Sequence, residues 1–175
     1  MLGWTRVLAA AQACFFCLGV TTSGRKEADY AHSTYGFTLA AAELLSRFDP
    51  GMTFIDASGT GTDSSEKGRS VRAGVKGRTE NALPRLPLSA YLFRPGFIRP
   101  LDGIESKTPS YRIFYRVLAP FMPLLGRALP NQVLTTREIG RAMLSLARQG
   151  YGKRVPETRD IRAVRSREQN QRAAS

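Results

Sequence analysis

At 175 residues the chain is long enough for one domain with a substantial core, and 42% hydrophobic with 23% charged residues fits an ordinary soluble globular protein. Two cysteines exclude a disulfide framework, and a single histidine with no further cysteine pair leaves no expected metal site. The formal charge of +12 is scattered and lacks interleaved aromatics, so it reads as solvated surface without a specific nucleic-acid or membrane signal, although a basic cleft would suit a nucleotide's phosphates.

In chain order, Arg6 and the apolar run Val7–Val20 resemble the charged start and core of a signal peptide, and Ala11-Gln-Ala-Cys14 faintly resembles a lipoprotein cleavage site. The run is too short to span a bilayer. Its most apolar part, Ala13 to Val20, ends at Gly19 as a buried parallel strand would, and the strand reading is preferred. Cys14-Phe-Phe-Cys17 lacks the helix start or second ligand pair that redox or zinc chemistry needs, so two buried, inert cysteines are expected.

Residues Glu27 to Phe48 have helical spacing, with Phe37, Ala41, Leu44 and Phe48 as the expected apolar stripe. Asp49-Pro50-Gly51 stops the helix. His32, near its start, reads as an exposed polar residue. Met52-Thr-Phe-Ile-Asp-Ala-Ser58 is strand-like and ends on a serine. The polar, glycine-rich loop Gly59–Gly68 follows. Val71 to Leu86 is again helical, with Val71, Val75, Ala82, Leu83 and Leu86 expected inside. Ser89–Arg94 forms a second strand-like run and leads into Pro95-Gly96-Phe97. Strand, helix, strand with breakers at each joint is the pattern of a right-handed crossover in a parallel sheet, where ligands lie beyond the carboxyl ends of the strands. Lys76 neighbours Arg72 one turn before it and Glu80 one turn after. A surface ion pair with Glu80, of little energetic worth, is an open reading of Lys76.

Beyond Gly96, Tyr111, Phe114, Tyr115 and Leu118 suggest a helix that breaks at Pro120 and Pro123, and Phe121, Leu124, Leu125 and Leu129 continue an apolar surface. Thr135 with Glu138 has the spacing of a capping box, Ile139, Met143 and Leu146 form a stripe, and Gly150 ends the last helix. The basic segment 161–175 is expected to fray. Phe37, Leu44, Phe54, Val75, Leu83, Ile139 and Met143 are expected in one core.

Together, Cys17-Leu-Gly19, the loop containing Ser58, Val75-Lys76-Gly77 followed by Glu80, and Arg94-Pro-Gly-Phe97 resemble the atypical short-chain dehydrogenase/reductases. Within that superfamily they are most similar to the epimerase-like, NAD(P)H-binding bacterial group. The resemblance covers roughly Ala13 to Asp160 and implies a Rossmann-type fold that binds NAD or NADP. It implies that Gly19 approaches the cofactor, that Ser58 polarises a carbonyl or hydroxyl, and that Lys76 holds the nicotinamide ribose. Pro95, Gly96 and Phe97 would lie near the nicotinamide.

Two departures stand out. Arg72 occupies the position one turn before Lys76 where the family has its tyrosine, and an arginine that stays protonated cannot serve as the general acid/base. No glycine-rich dinucleotide turn precedes Cys14, and Gly59-Thr-Gly61 lies after a later strand. The expectation is a truncated NAD(P)-binding domain over 1–160, with substrate-side helices at 105–150, in a reduced, cytoplasmic compartment. Its fold is expected to be α/β, a partial Rossmann-like parallel sheet with flanking helices and a small C-terminal helical region. The leading function is an impaired oxidoreductase- or epimerase-like protein acting on a small molecule. The rivals are a non-catalytic scaffold, whose half-sheet pairs with a partner chain supplying strands, and an exported protein with a signal peptide.

Overall fold

The structure is a computed structural model that describes residues 11–22, 24–101 and 132–164. The architecture is α/β, a partial Rossmann-like parallel sheet with flanking helices. Contacts divide the chain, read from sequence as one domain over 1–160, into two units. One comprises Met1–Arg94 with Tyr151–Pro156, and the other Pro95–Gly150 with Glu157–Ser175.

The first unit holds a three-stranded sheet in the order β1 (Ala13–Phe16), β2 (Thr53–Ala57), β3 (Ser89–Phe93), all parallel. Cys14 pairs with Phe54 and Phe54 with Ala90, which fixes the register. The apolar run that begins at Ala13 is a strand only over Ala13–Phe16, and none of it is buried; Phe15 and Leu18 are exposed because β1 is the outer strand among the described residues. The sheet ends at Phe16 on this strand, so the expectation of two buried cysteines is corrected. Cys14 packs half-buried against the core, whereas Cys17 is exposed. The outer side of β3 is covered, since Leu92 N donates to Arg154 O (2.8 Å) and Arg94 N to Pro156 O (3.0 Å).

Helix α1 (Glu27–Ala31) continues through a π-helical segment, His32–Gly36, into α2 (Phe37–Phe48). The helix lies where its spacing predicted, but its buried face does not. Thr38, Leu39, Ala42, Leu45 and Ser46 face inward, while Phe37 and Leu44 are each 47% exposed and Phe48 is also exposed. The two stripes are alternatives because α2 is apolar on both sides, and the polar Thr38 and Ser46 are admitted inside by bonding back to Thr34 O and Glu43 O. Gly51, with φ of 100°, makes the turn into β2 after the helix stops.

Helix α3 (Val71–Ala82) starts from Ser70, whose Oγ accepts from Ala73 N, and tightens into a 3₁₀ turn at Leu83–Arg85. Its buried residues are Gly77, Thr79 and Glu80, so the expected inward set is corrected. Leu83 is buried, but Val71 is exposed and Val75, Ala82 and Leu86 are only half-buried. The helix turns a polar face inward because that face finds partners, as described below. Ala42, Leu45, Met52, Phe54, Leu83, Ala90 and Leu92 make the core of this unit.

The second unit contains two short parallel strands that were not predicted, β4 (Phe97–Arg99) and β5 (Val133–Thr135). Helix α4 (Thr136–Gln149) follows with the expected capping box. Thr135 Oγ1 accepts from Glu138 N (3.1 Å), and Glu138 Oε2 accepts from Thr135 N (2.8 Å). Met143 and Leu146 are buried as expected, while Ile139 is half-buried; neither Ile139 nor Met143 belongs to the core of the first unit. Residues 158–164 are helical with Ile161 and Val164 buried, so the expected fraying at 161 is corrected for 161–164. The expected apolar surface Tyr111–Leu129, the run Arg6–Ala10 and residues 165–175 lie outside the described residues.

Candidate functional site

Because β1, β2 and β3 are parallel, Gly19, Ser58 and Arg94 all follow the carboxyl ends of their strands. Lys76, on α3, is drawn to the same edge. Its Nζ donates to Ala57 O (3.2 Å) and to Ser58 O. The surface-pair reading of Lys76 is thereby replaced, since Glu80 pairs with Arg94 and the lysine amine caps the end of β2. Burial holds Lys76 below its ordinary pKa and the Arg72 charge adds to this, while the Asp56 and Glu80 carboxylates oppose it.

Ser58 is 1% exposed, and its hydroxyl donates to Phe93 O (3.0 Å). Gly59 N donates to the same carbonyl (3.0 Å), so Ser58 and Gly59 together tie the end of β2 to β3. In this geometry the hydroxyl is already used. Arg72, at the position of the expected tyrosine, is exposed and brings its Nη2 within 3.5 Å of where a Cβ on Gly59 would stand. Among the described residues, an added Cβ at Gly19 would meet nothing within 4 Å, so no described packing neighbour demands a glycine there.

The loop from Gly59 to Ser70 is bound closely to α3. An added Cβ on Gly77 would stand 1.8 Å from Asp63 O, so the loop backbone passes where any side chain would be. Asn81 Nδ2 donates to Ser64 O (2.8 Å) and to Glu66 Oε1 (2.7 Å). Within the loop, Asp63 accepts from Ser65 N (3.0 Å), Ser65 Oγ (2.6 Å) and Gly68 N (2.7 Å). Those hydrogen bonds, the Ser65 hydroxyl first, hold the Asp63 carboxyl below its ordinary pKa. Two loop amides that a phosphate would need thus already serve a carboxylate, and the loop makes a poor pyrophosphate cradle.

Beneath α3 lies a polar cluster whose roles the sequence reading did not identify. Glu80, 3% exposed, accepts from Arg94 Nε (2.9 Å), Arg94 Nη2 and Ser64 Oγ (3.0 Å), and Arg94 Nη2 also donates to Ser64 Oγ (2.6 Å). Asp56 lies nearby at 7% exposure, and burial, opposed by Lys76 and reinforced by Glu80, raises its pKa to about 6. One signal was in the sequence: an acid inside the apolar strand Thr53–Ala57 is buried by that strand's own pattern.

Pro95, Gly96 and Phe97 belong to the second unit. Gly96 N donates to Thr158 Oγ1 (2.9 Å), and a Cβ on Gly96 would stand 2.5 Å from Gln132 O. Close backbone approach therefore accounts for this glycine. Phe97 is exposed. Among the described residues, no group of three or more His, Cys, Asp or Glu side chains is placed to hold a metal, and no helix is long and apolar enough to cross a membrane. Compared with protein-family models and with curated proteins, the chain finds no match.

Proposed function

We propose that the chain carries the nicotinamide-side half of an NAD(P)-binding, oxidoreductase- or epimerase-like site, and that it is catalytically impaired. The reading rests on Lys76, an amine on the crossover helix turned onto the carbonyls at the carboxyl end of the central strand. There it is able to meet a ribose hydroxyl. NAD or NADP would supply hydride transfer when bound. The residues of this chain would orient the ribose and fix the strand ends.

Proton transfer is the weak point. An arginine stands where the family has its proton-shuttling tyrosine, and the Ser58 hydroxyl is committed to Phe93 O. The adenosine side is weak too. Dinucleotide affinity depends heavily on amides at a helix start that grip the pyrophosphate, and in the Gly59–Ser70 loop Asp63 occupies two of them.

Amide chemical-shift titration of the 175-residue chain tests this reading. Nicotinamide mononucleotide should shift Gly19, Ser58 and Gly59, and Lys76→Met should abolish those shifts. Adenosine monophosphate should leave them in place, and NADH should bind no more tightly than the mononucleotide and show no turnover. Shifts by adenosine monophosphate alone, or micromolar NADH binding, would overturn the half-site.

A second reading, a non-catalytic protein that pairs with a partner chain, is favoured by Phe15 and Leu18, which are exposed on and just after the outer strand β1. Association that weakens on Phe15→Lys, with no response to the mononucleotide, would favour it.

A further inference from the structure

Side chains alternate along a strand, so Phe54 and Asp56 leave the same face of β2. The carbonyl of the next residue, Ala57, accepts from Lys76 Nζ (3.2 Å), which brings the ammonium to the strand end beside Asp56. Asp56 is within electrostatic reach of Lys76 and of Glu80 one turn further along α3. It is nonetheless outside the network that satisfies its neighbours. Glu80 takes Arg94 and Ser64, Lys76 takes two backbone carbonyls, and among the described residues Asp56 joins no ion pair. A buried carboxylate without a direct partner lowers stability, and an apolar residue at this strand position would avoid the cost. Such groups persist where they act on a site.

We propose that Asp56 is a positioning residue, whose carboxylate holds the Lys76 ammonium charged and aimed along the Ala57 and Ser58 carbonyls. The Asp56 carboxylate favours the charged ammonium, and the Arg72 charge disfavours it. Glu80 adds to the attraction only in part, because Arg94 compensates its charge. In the segment after β1, the Cys17 thiol is pushed up first by burial and then by the Asp56 charge. The proposal deepens the reading of Lys76 as the ribose-holding group and rests on that reading for its function. Its electrostatic content is independent of any cofactor.

Reductive methylation of the full chain with formaldehyde and cyanoborohydride, followed by peptide mass spectrometry, reads how much of each lysine is neutral. Asp56→Asn should raise the Lys76 rate severalfold near neutral pH, and Asp56→Glu should restore it. Lys26 and Lys67 are internal controls and should not change. An unchanged Lys76 rate in a folded Asp56→Asn chain overturns the proposal.

Should Asp56→Asn fail to fold, carboxyl NMR on the otherwise intact chain with Lys76→Met gives the reciprocal test. Removing the ammonium should move the Asp56 titration upward from about 6, and an unmoved titration overturns the proposal. Both experiments omit nucleotide. A chain that fails to bind nicotinamide mononucleotide yet shows the Asp56–Lys76 coupling therefore loses the functional reading and keeps this one.

Discussion

Asp56 sets the pH response of this fold at the scale of one residue. In an unfolded chain an aspartate titrates near ~3.9, whereas here burial raises it to about 6. Below both values each state holds the proton and nothing is lost. Between them the folded state keeps a proton that the unfolded state has released, so stability falls as pH rises. A shift of roughly two units corresponds to about 3 kcal/mol, fully lost above the folded value. Asp63 has the opposite sign, since its lowered carboxyl stabilises above the unfolded value and stops doing so as pH falls. Urea unfolding of the wild type and Asp56→Asn across this range isolates the first effect. The difference between the two chains should grow in favour of the variant from pH ~4 to ~6, and a constant difference would show that Asp56 ionises at no cost. Asp56 was legible in principle, as the one charge inside Thr53–Ala57. The aim of Lys76 was not legible from periodicity, because helical spacing fits the Glu80 pair equally well. Which reading holds depends on Arg94, fourteen residues further along, taking Glu80 away.

At the scale of elements, α2 shows how an apolar pattern admits two faces. Phe37, Leu44 and Phe48 repeat at helical spacing as well as Leu39, Ala42 and Leu45 do, and only the sheet beneath the helix decides. Leu44→Gln should therefore change stability by no more than about 0.5 kcal/mol, while its neighbour Leu45→Ala should cost about 2–5 kcal/mol. Thermal unfolding of the two variants distinguishes the faces, and equal losses would return the outward stripe to the core. Helix α3 has the converse arrangement, with a carboxylate on the face a sequence reading leaves outside. Arg94→Met leaves Glu80 buried without its guanidinium and should cost about 3–5 kcal/mol, the usual penalty for breaking such a pair. The Glu80→Gln, Arg94→Met double variant should recover part of it. The strands β4 and β5 escaped prediction because three residues are too few for an alternation to register. The capping box at Thr135 was legible because both of its hydrogen bonds are local in sequence.

Over the whole molecule, the parallel arrangement of Ala13–Phe16, Thr53–Ala57 and Ser89–Phe93 followed from breakers and apolar runs. The return of the chain to the first unit at Tyr151–Pro156 did not. Nothing in Tyr-Gly-Lys-Arg-Val-Pro announces that its carbonyls accept from Leu92 and Arg94, that Tyr151 N donates to Tyr91 Oη (3.0 Å), or that Val155 packs on the core. A chain ending at Arg94 should lose hydrogen-exchange protection at Leu92, while Phe54 at the sheet centre keeps more of its own. Equal protection of Leu92 in the short and full chains would show that the returning segment contributes no stability.

That return also fixes an order of events during synthesis. Tyr91, Leu92 and Arg94 leave the ribosome long before residues 151–156, with the body of the second unit translated between them. At roughly 5–20 residues per second the outer amides of Ser89–Phe93 remain uncovered for several seconds. A nascent chain in that interval presents an open strand edge to whatever it meets, so the hazard of mispairing is greatest before the molecule is finished and is closed by its own later residues.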